Sequence, residues 1–178
     1  MGSDSWYKVD NVAKVFLATL TKRDPKSLRV SCTLKEDIDP DLLQKALLSA
    51  IQDRPQFQMR IRRGLFWHYM ENTDILPEVS EESDRVCPLL YIPARTMLHY
   101  RVTYFGKRIN LDMFHALSDG TGALEFLDII VLFEIICKIS VFHCKEAQES
   151  RFTCSLTAYK AEHKFKLTSG IKYSGYSS

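Results

Sequence analysis

A histidine with an Asp-Gly pair four residues downstream is the feature of this sequence best suited to chemistry. The segment reads His115-Ala-Leu-Ser-Asp119-Gly120. A histidine whose ring is held in one tautomer can take a proton from a hydroxyl or an amine near neutral pH. We therefore expect His115 to act as a general base. We expect Asp119 to anchor the loop by pairing with a buried arginine, and Gly120 to allow a backbone geometry or a close approach that a Cβ would obstruct.

The elements on either side of this segment would hold the histidine in place. Residues 99–105 and 108–114, joined by a turn at Gly106-Lys107, predict a hairpin that ends immediately before His115. A strand end fixes a side chain well because its backbone is tied into the sheet. Residues 124–136 predict a largely buried helix, whose N-terminal amides would point towards the site.

The first third of the chain predicts two strands followed by a helix. Residues 12–21 and 28–34 are rich in β-branched and apolar side chains, which favours strands. Asp39 is placed as an N-cap and Pro40 as the first helical residue. Apolar residues then recur at helical spacing until Arg54-Pro55 ends the helix.

A first hairpin and an acidic loop are predicted next. Residues 57–63 and 66–70 are separated by Gly64 and predict two paired strands. Within them, Arg60-Ile-Arg62-Arg63 alternates as a strand with one solvated face would, rather than as a phosphate-binding patch. The acidic residues between positions 78 and 84 predict a solvated loop.

This order of elements predicts an α+β fold with a mostly antiparallel or mixed sheet flanked by helices. We assign residues 6–137 to one domain that carries the histidine motif. Residues 138–178 have poor apolar periodicity and predict an irregular C-terminal tail, with weak order from about Thr168 onward.

Composition excludes several classes of protein. The chain has 178 residues, 46% of them hydrophobic, and a net charge of +2 with no dense basic stripe, so we expect no nucleic-acid partner. The aliphatic stretch 123–142 contains four charged residues, so a buried helix is expected there instead of a membrane span. Five cysteines without a CxxC pair and the lack of a signal-peptide pattern predict reduced thiols in the cytoplasm.

Two other chemistries are weaker interpretations of the same residues. His115 and Asp119 could be metal ligands, but no third ligand lies nearby in the sequence, so we expect no metal. A cysteine nucleophile would need a neighbouring histidine, and only His143-Cys144 offers that pairing, in the poorly patterned tail.

The motif and its surroundings resemble the chloramphenicol acetyltransferase-like superfamily. The HxxxDG segment, with Phe114 before it and Thr-Gly-Ala-Leu-Glu-Phe-Leu after it, is similar to the alcohol acetyltransferase-like and condensation-domain group. The helix that begins at Asp39-Pro40 and leads to Arg54-Pro55-Gln-Phe57 resembles the segment preceding the family's first hairpin. Phe114 stands where condensation domains often have a second histidine, which argues against a peptide-bond-forming module.

The resemblance implies an acyl-CoA-dependent O- or N-acyltransferase. In that family the motif histidine, here His115, deprotonates the acceptor, which attacks an acyl thioester directly. Asp119 and Gly120 would shape the motif, and another donor would stabilise the oxyanion. Acetyl-CoA or another acyl-CoA would be a co-substrate rather than a tightly bound cofactor, and the acceptor would be a small alcohol or amine.

The resemblance covers about residues 6–137, which correspond to the N-terminal half of a two-half fold. Two alternatives are then open. Either the chain is a truncated, non-catalytic remnant that acts at most as an interaction domain, or it completes its site by forming a homo-oligomer.

Overall fold

The computed structural model describes residues 6–83, 85–93 and 95–146. Within them, two sheets and three α-helices form the predicted α+β fold. The second sheet was not anticipated. The predicted weak order from Thr168 onward lies outside the described residues.

The larger sheet positions the histidine motif. It consists of β2 (Ser27–Thr33), β5 (Val79–Glu81), β6 (Tyr100–Phe105) and β7 (Arg108–Phe114) in the order β2-β7-β6-β5. The predicted β6–β7 hairpin is confirmed, and Gly106 takes a positive φ of 55° in its turn. The sheet is mixed, because β5 runs parallel to β6 while the other pairs are antiparallel.

The smaller sheet contains the other predicted hairpin. Its strands are β1 (Trp6–Lys8), β3 (Met59–Arg63) and β4 (His68–Asn72), in the order β1-β4-β3. β3 begins later than predicted because Pro55–Gln58 form a short 3-10 helix. Ile61 is buried and the next residue, Arg62, is exposed, as expected for a strand with one solvated face, while Arg63 is exposed at the end of the strand.

Two helices cover one face of the larger sheet. α2 spans Pro40–Asp53, and Asp39 caps it as predicted, with its side chain accepting from the Asp41 amide at 2.9 Å. α3 spans Gly120–Glu146 and so continues past the domain boundary predicted after residue 137. In the described part of the chain, no helix combines the length and apolar character needed to cross a membrane.

The strand predicted for residues 12–21 is wrong, because this segment forms the helix α1 (Asn11–Thr19). Asp10 caps it and accepts a hydrogen bond from the Ala13 amide at 2.6 Å. Its inward side chains follow helical spacing, since Ala13, Phe16, Leu17 and Leu20 pack into one cluster. That burial outweighs the strand preference of the β-branched valines.

The buried side chains form two clusters that meet at β7. The larger joins α2 and α3 to the larger sheet and contains Ile109, Leu111 and Met113. The smaller lies under α1 and the smaller sheet and contains Phe114. Adjacent residues of one strand therefore enter different cores, because successive side chains alternate between its faces.

Candidate active site around His115

His115 directly follows β7 and is tied to the sheet through its backbone. Its N–H donates to the carbonyl of Lys26 at 2.9 Å, which extends the β2–β7 ladder by one bond. The chain then turns sharply, and the Leu117 N–H donates to the Phe114 carbonyl at 2.9 Å. The strand end and the turn together fix the backbone of the predicted base.

The ring of His115 is held by α1. It stacks on Phe16 with 4.5 Å between ring centroids and 12° between ring planes. Its Nδ1 is buried and has no hydrogen-bond partner among the described residues, while the side chain as a whole is half-buried. Packing, rather than a hydrogen bond to Nδ1, therefore orients this imidazole.

A layer of aromatic rings supports the strand beneath His115. Phe114 is fully buried and stacks on Tyr91, with 5.6 Å between centroids and 6° between planes. His99 meets both rings edge-on. Its Nδ1 donates to the Leu90 carbonyl at 2.9 Å, and its Nε2 accepts from the Ile61 N–H at 2.6 Å. The buried His99 therefore joins the two sheets behind the site.

Those two bonds require a neutral imidazole in a single tautomer. The Ile61 N–H can donate only to an unprotonated Nε2, so the ring proton is on Nδ1. Burial lowers the pKa of His99, which favours this neutral form. His99 was not singled out from the sequence, where only its place at the start of a strand was apparent.

Asp119 does not make the arginine pair that was predicted for it. Its side chain is exposed, and its Oδ1 accepts from the Gly122 N–H at 2.8 Å. Its backbone carbonyl also accepts from the Ala123 N–H at 3.0 Å. Asp119 is therefore the N-cap of α3, a role that short polar side chains fill well because they satisfy a first-turn amide.

The steric role predicted for Gly120 is also wrong. A Cβ at this position would meet no atom within 4 Å, and its φ lies outside the left-handed range. The crowded glycine is Gly122, where a Cβ would stand 2.1 Å from the Ser118 hydroxyl oxygen. The tight approach is thus two residues further along the helix than expected.

The buried arginine pair belongs instead to Asp112, which sequence reasoning missed. Asp112 is fully buried in the middle of the larger sheet. Arg29 on β2 donates to both of its carboxylate oxygens at 2.7 Å, and Arg101 on β6 donates at 2.9 Å. Bidentate charge-assisted bonds of this kind are strong and directional. Arg29 and Arg101 occupy the strands that flank β7, which ties all three strands together three residues before His115.

The acidic segment predicted to be solvated joins the same network. Glu82 follows β5 and is largely buried, and it pairs with Arg29 and with Arg108, the latter at 2.7 Å. The two guanidinium groups hold the pKa of Glu82 below its usual value although burial opposes this. Alternating polar residues on β7, namely Arg108, Asn110 and Asp112, were the available sequence signal for this polar face.

No alternative chemistry is assembled in the described part of the chain. No cluster of histidine, cysteine or carboxylate side chains suitable for a metal ion occurs there. Cys32, Cys87 and Cys137 are unbonded, and burial raises the pKa of each thiol, which disfavours the reactive thiolate. His143 and Cys144 have side chains outside the described set.

Comparisons with known proteins identify the fold. No family model and no curated protein matches the chain. The starter condensation domain of rhizomide synthetase RzmA matches with a TM-score of 0.58 at 11% identity, covering 75% of this chain and 38% of that one. An arginine-to-alanine mutant of that domain gives 0.60 at 10% identity with the same coverage.

A third solved structure has a similar fold. Polyketide synthase associated protein 5 from Mycobacterium tuberculosis matches with a TM-score of 0.52 at 16% identity, covering 73% of this chain and 33% of that one. The chain therefore spans well under half the length of these structures. At such low identity the likeness establishes architecture alone. This chain has the α+β fold of part of a condensation domain.

Proposed function

We propose that this chain carries the proton-accepting part of an acyltransferase site, with His115 as its general base. The donor is an acyl-CoA, and the acceptor is a small alcohol or amine. His115 takes the acceptor proton as the acceptor oxygen or nitrogen attacks the thioester carbonyl. The tetrahedral intermediate then expels the thiolate, which receives a proton, to give the ester or amide and free coenzyme A.

The placement of the His115 ring supports this role most directly. The backbone is fixed at a strand end and the ring is clamped against Phe16. Because Nδ1 is enclosed by protein, Nε2 is the nitrogen through which we expect a proton to be exchanged. A base held in one orientation avoids the entropic cost of finding the reactive geometry.

The first turn of α3 supplies a source of oxyanion stabilisation. The first amides of a helix lack intrahelical partners. The Asp119 side chain occupies the amide of Gly122, and the Ala123 N–H makes the first intrahelical bond to the Asp119 carbonyl, so we assign the N–H groups of Gly120 and Thr121 as the donors. Donors of this kind, preorganised before the reaction, stabilise negative charge as it develops in the transition state.

A second copy of the chain is proposed to complete the site. The chain covers 38% of the condensation domain that it resembles, and we propose that the second copy supplies further walls around the substrates. Val12 and Val15 are exposed on the helix that carries Phe16, and they give this helix an apolar surface that a second copy could cover. The same exposed valines support a second candidate, a non-catalytic domain that binds a protein partner through α1.

Thiol release from acetyl-CoA tests these two candidates. Wild-type chain and His115→Ala are assayed against a panel of alcohols and amines, with His68→Ala as a matched histidine control. We expect turnover in wild type and in His68→Ala and none in His115→Ala. Equal turnover in His115→Ala would overturn the role of this residue. No turnover in any folded variant would favour the non-catalytic domain.

A further inference from the structure

Three consecutive apolar side chains project from the tip of the β3–β4 hairpin. Leu65, Phe66 and Trp67 are 89%, 83% and 62% exposed. The loop is closed by the Gly64 N–H, which donates to the Trp67 carbonyl at 2.7 Å. The rings of Phe66 and Trp67 lie 6.5 Å apart. A run of adjacent exposed apolar residues on an ordered turn is unfavourable in water and commonly marks a binding surface.

The strands that carry this tip are basic. Over β1, β3, β4 and the connecting loop, the charged side chains are one carboxylate, Glu71, and four cations, Lys8, Arg60, Arg62 and Arg63. Arg60 and Arg62 both bond to Glu71. Arg63 immediately precedes the loop and is exposed. The apolar tip therefore adjoins a sheet of net positive charge.

We propose that this hairpin tip, residues 64–67 with Arg63 beside it, docks on the surface of an anionic lipid bilayer. Leu65, Phe66 and Trp67 enter the interfacial region, where aromatic side chains are favoured. The basic residues of the small sheet then lie near the lipid phosphates, each adding electrostatic attraction. This inference is independent of the acyltransferase proposal.

The charge distribution favours a lipid surface over a second copy of the chain. Pairing two identical tips would bring two positively charged sheets together, which opposes association. A nucleic acid would satisfy the positive charge and its bases can stack on aromatic rings, but it offers no apolar medium for Leu65. An anionic bilayer satisfies both features at once.

Trp67 provides a direct measurement. The chain has two tryptophans, so the full-length variant Trp6→Phe leaves Trp67 as the sole reporter. We expect its emission to shift to the blue, and to be quenched by brominated acyl chains, on vesicles of phosphatidylcholine containing phosphatidylserine. Pure phosphatidylcholine should produce a much weaker response. Emission unchanged by anionic vesicles, or an equal response to both lipids, would overturn the proposal.

Paired variants test which residues carry the binding in vesicle co-sedimentation. Leu65→Ser with Phe66→Ser should weaken binding about tenfold or more. Val12→Ser with Val15→Ser removes apolar side chains that are 64% and 60% exposed on α1, and should leave binding unchanged. Arg63→Gln should weaken it about fivefold. All these sites are exposed, and circular dichroism would verify folding.

Two results would contradict the assignment. Equal loss of vesicle binding in the tip and α1 variants would mean that binding is not specific to the hairpin. Concentration-dependent self-association that the tip variant abolishes, without vesicle binding by wild type, would assign the surface to a second copy of the chain.

Discussion

The imidazole of His115 lies nearly parallel to the phenyl ring of Phe16, with 4.5 Å between their centroids. The two residues are far apart in sequence and belong to different elements. The helix α1 therefore orients the candidate base, although the sequence analysis assigned that segment to a strand. The contact links the geometry of the site to a helix whose opposite side is exposed.

Phe16→Ala should disturb His115 without unfolding the protein, because Phe16 is only half-buried. We expect the Cε1–H resonance of His115 to lose its ring-current shift in the proton NMR spectrum, where His115→Ala identifies the signal. Activity should fall about tenfold to a hundredfold, since small misplacements of a catalytic group are costly. Lys14→Ala, at an exposed position of the same helix, is the control. An unchanged His115 resonance in Phe16→Ala would contradict the stacking.

Asp112→Asn should be strongly destabilising. The change removes the buried negative charge that Arg29 and Arg101 share, although Glu82 still pairs with Arg29. We expect the free energy of unfolding, measured in urea, to fall by about 3 kcal/mol. Asp119→Asn is a matched control at an exposed cap, where asparagine serves nearly as well and the loss should stay below about 1 kcal/mol. Equal losses at the two positions would contradict this account of the ion-pair network.

Stability should decline in mild acid because of His99. Burial lowers the pKa of His99 in the folded protein below 6.5, the value of an exposed histidine. Once the pH falls below about 6.5, the unfolded chain therefore binds more protons at this residue than the folded protein does. The free energy of unfolding should therefore decrease as pH drops through 6.5 towards the folded pKa, at up to about 1.4 kcal/mol per pH unit.

His99→Gln should flatten this dependence in urea titrations between pH 8 and 5. Burial also lowers the pKa of His68, but that side chain is only half-buried, so His68→Gln should change the slope less. A slope that is the same in wild type and His99→Gln would show that His99 does not control the acid response.

The two glycines at the start of α3 should respond differently to alanine. Gly120→Ala places its methyl in open space and should stabilise the protein by about 0.4–1 kcal/mol, by restricting the unfolded chain. Gly122→Ala forces the Ser118 hydroxyl to move and should be less favourable. Thermal denaturation of the double variant Ser118→Ala with Gly122→Ala should recover stability. Greater damage from Gly120→Ala than from Gly122→Ala would refute this reading.

The sequence predicted correctly those elements whose caps and turns depend only on neighbouring residues. Asp39-Pro40 marked the start of α2, and Gly106 marked the turn between β6 and β7, because each signal acts within a few residues. The α1 segment failed because its valines favour a strand while its inward positions repeat with helical spacing. There, packing against Phe114 and its neighbours decided the outcome.

The site was only partly predictable for a similar reason. The location of His115 at a strand end follows from the hairpin before it. The partners of Asp112 lie 83 residues and 11 residues away, and only the sheet register brings Arg29 and Arg101 to the same point. An Asp-to-Arg pairing was expected in this region, but it was predicted for Asp119. The carboxylate of Asp119 instead caps the first turn of α3.

The sharing of β7 between the two cores has a consequence for cooperativity. Met113 packs in the larger cluster and Phe114 in the smaller, so neither cluster can open without disturbing this strand. We expect both to melt in a single transition. The amides of β7 should then be the slowest in the protein to exchange with deuterium, because only global unfolding exposes them.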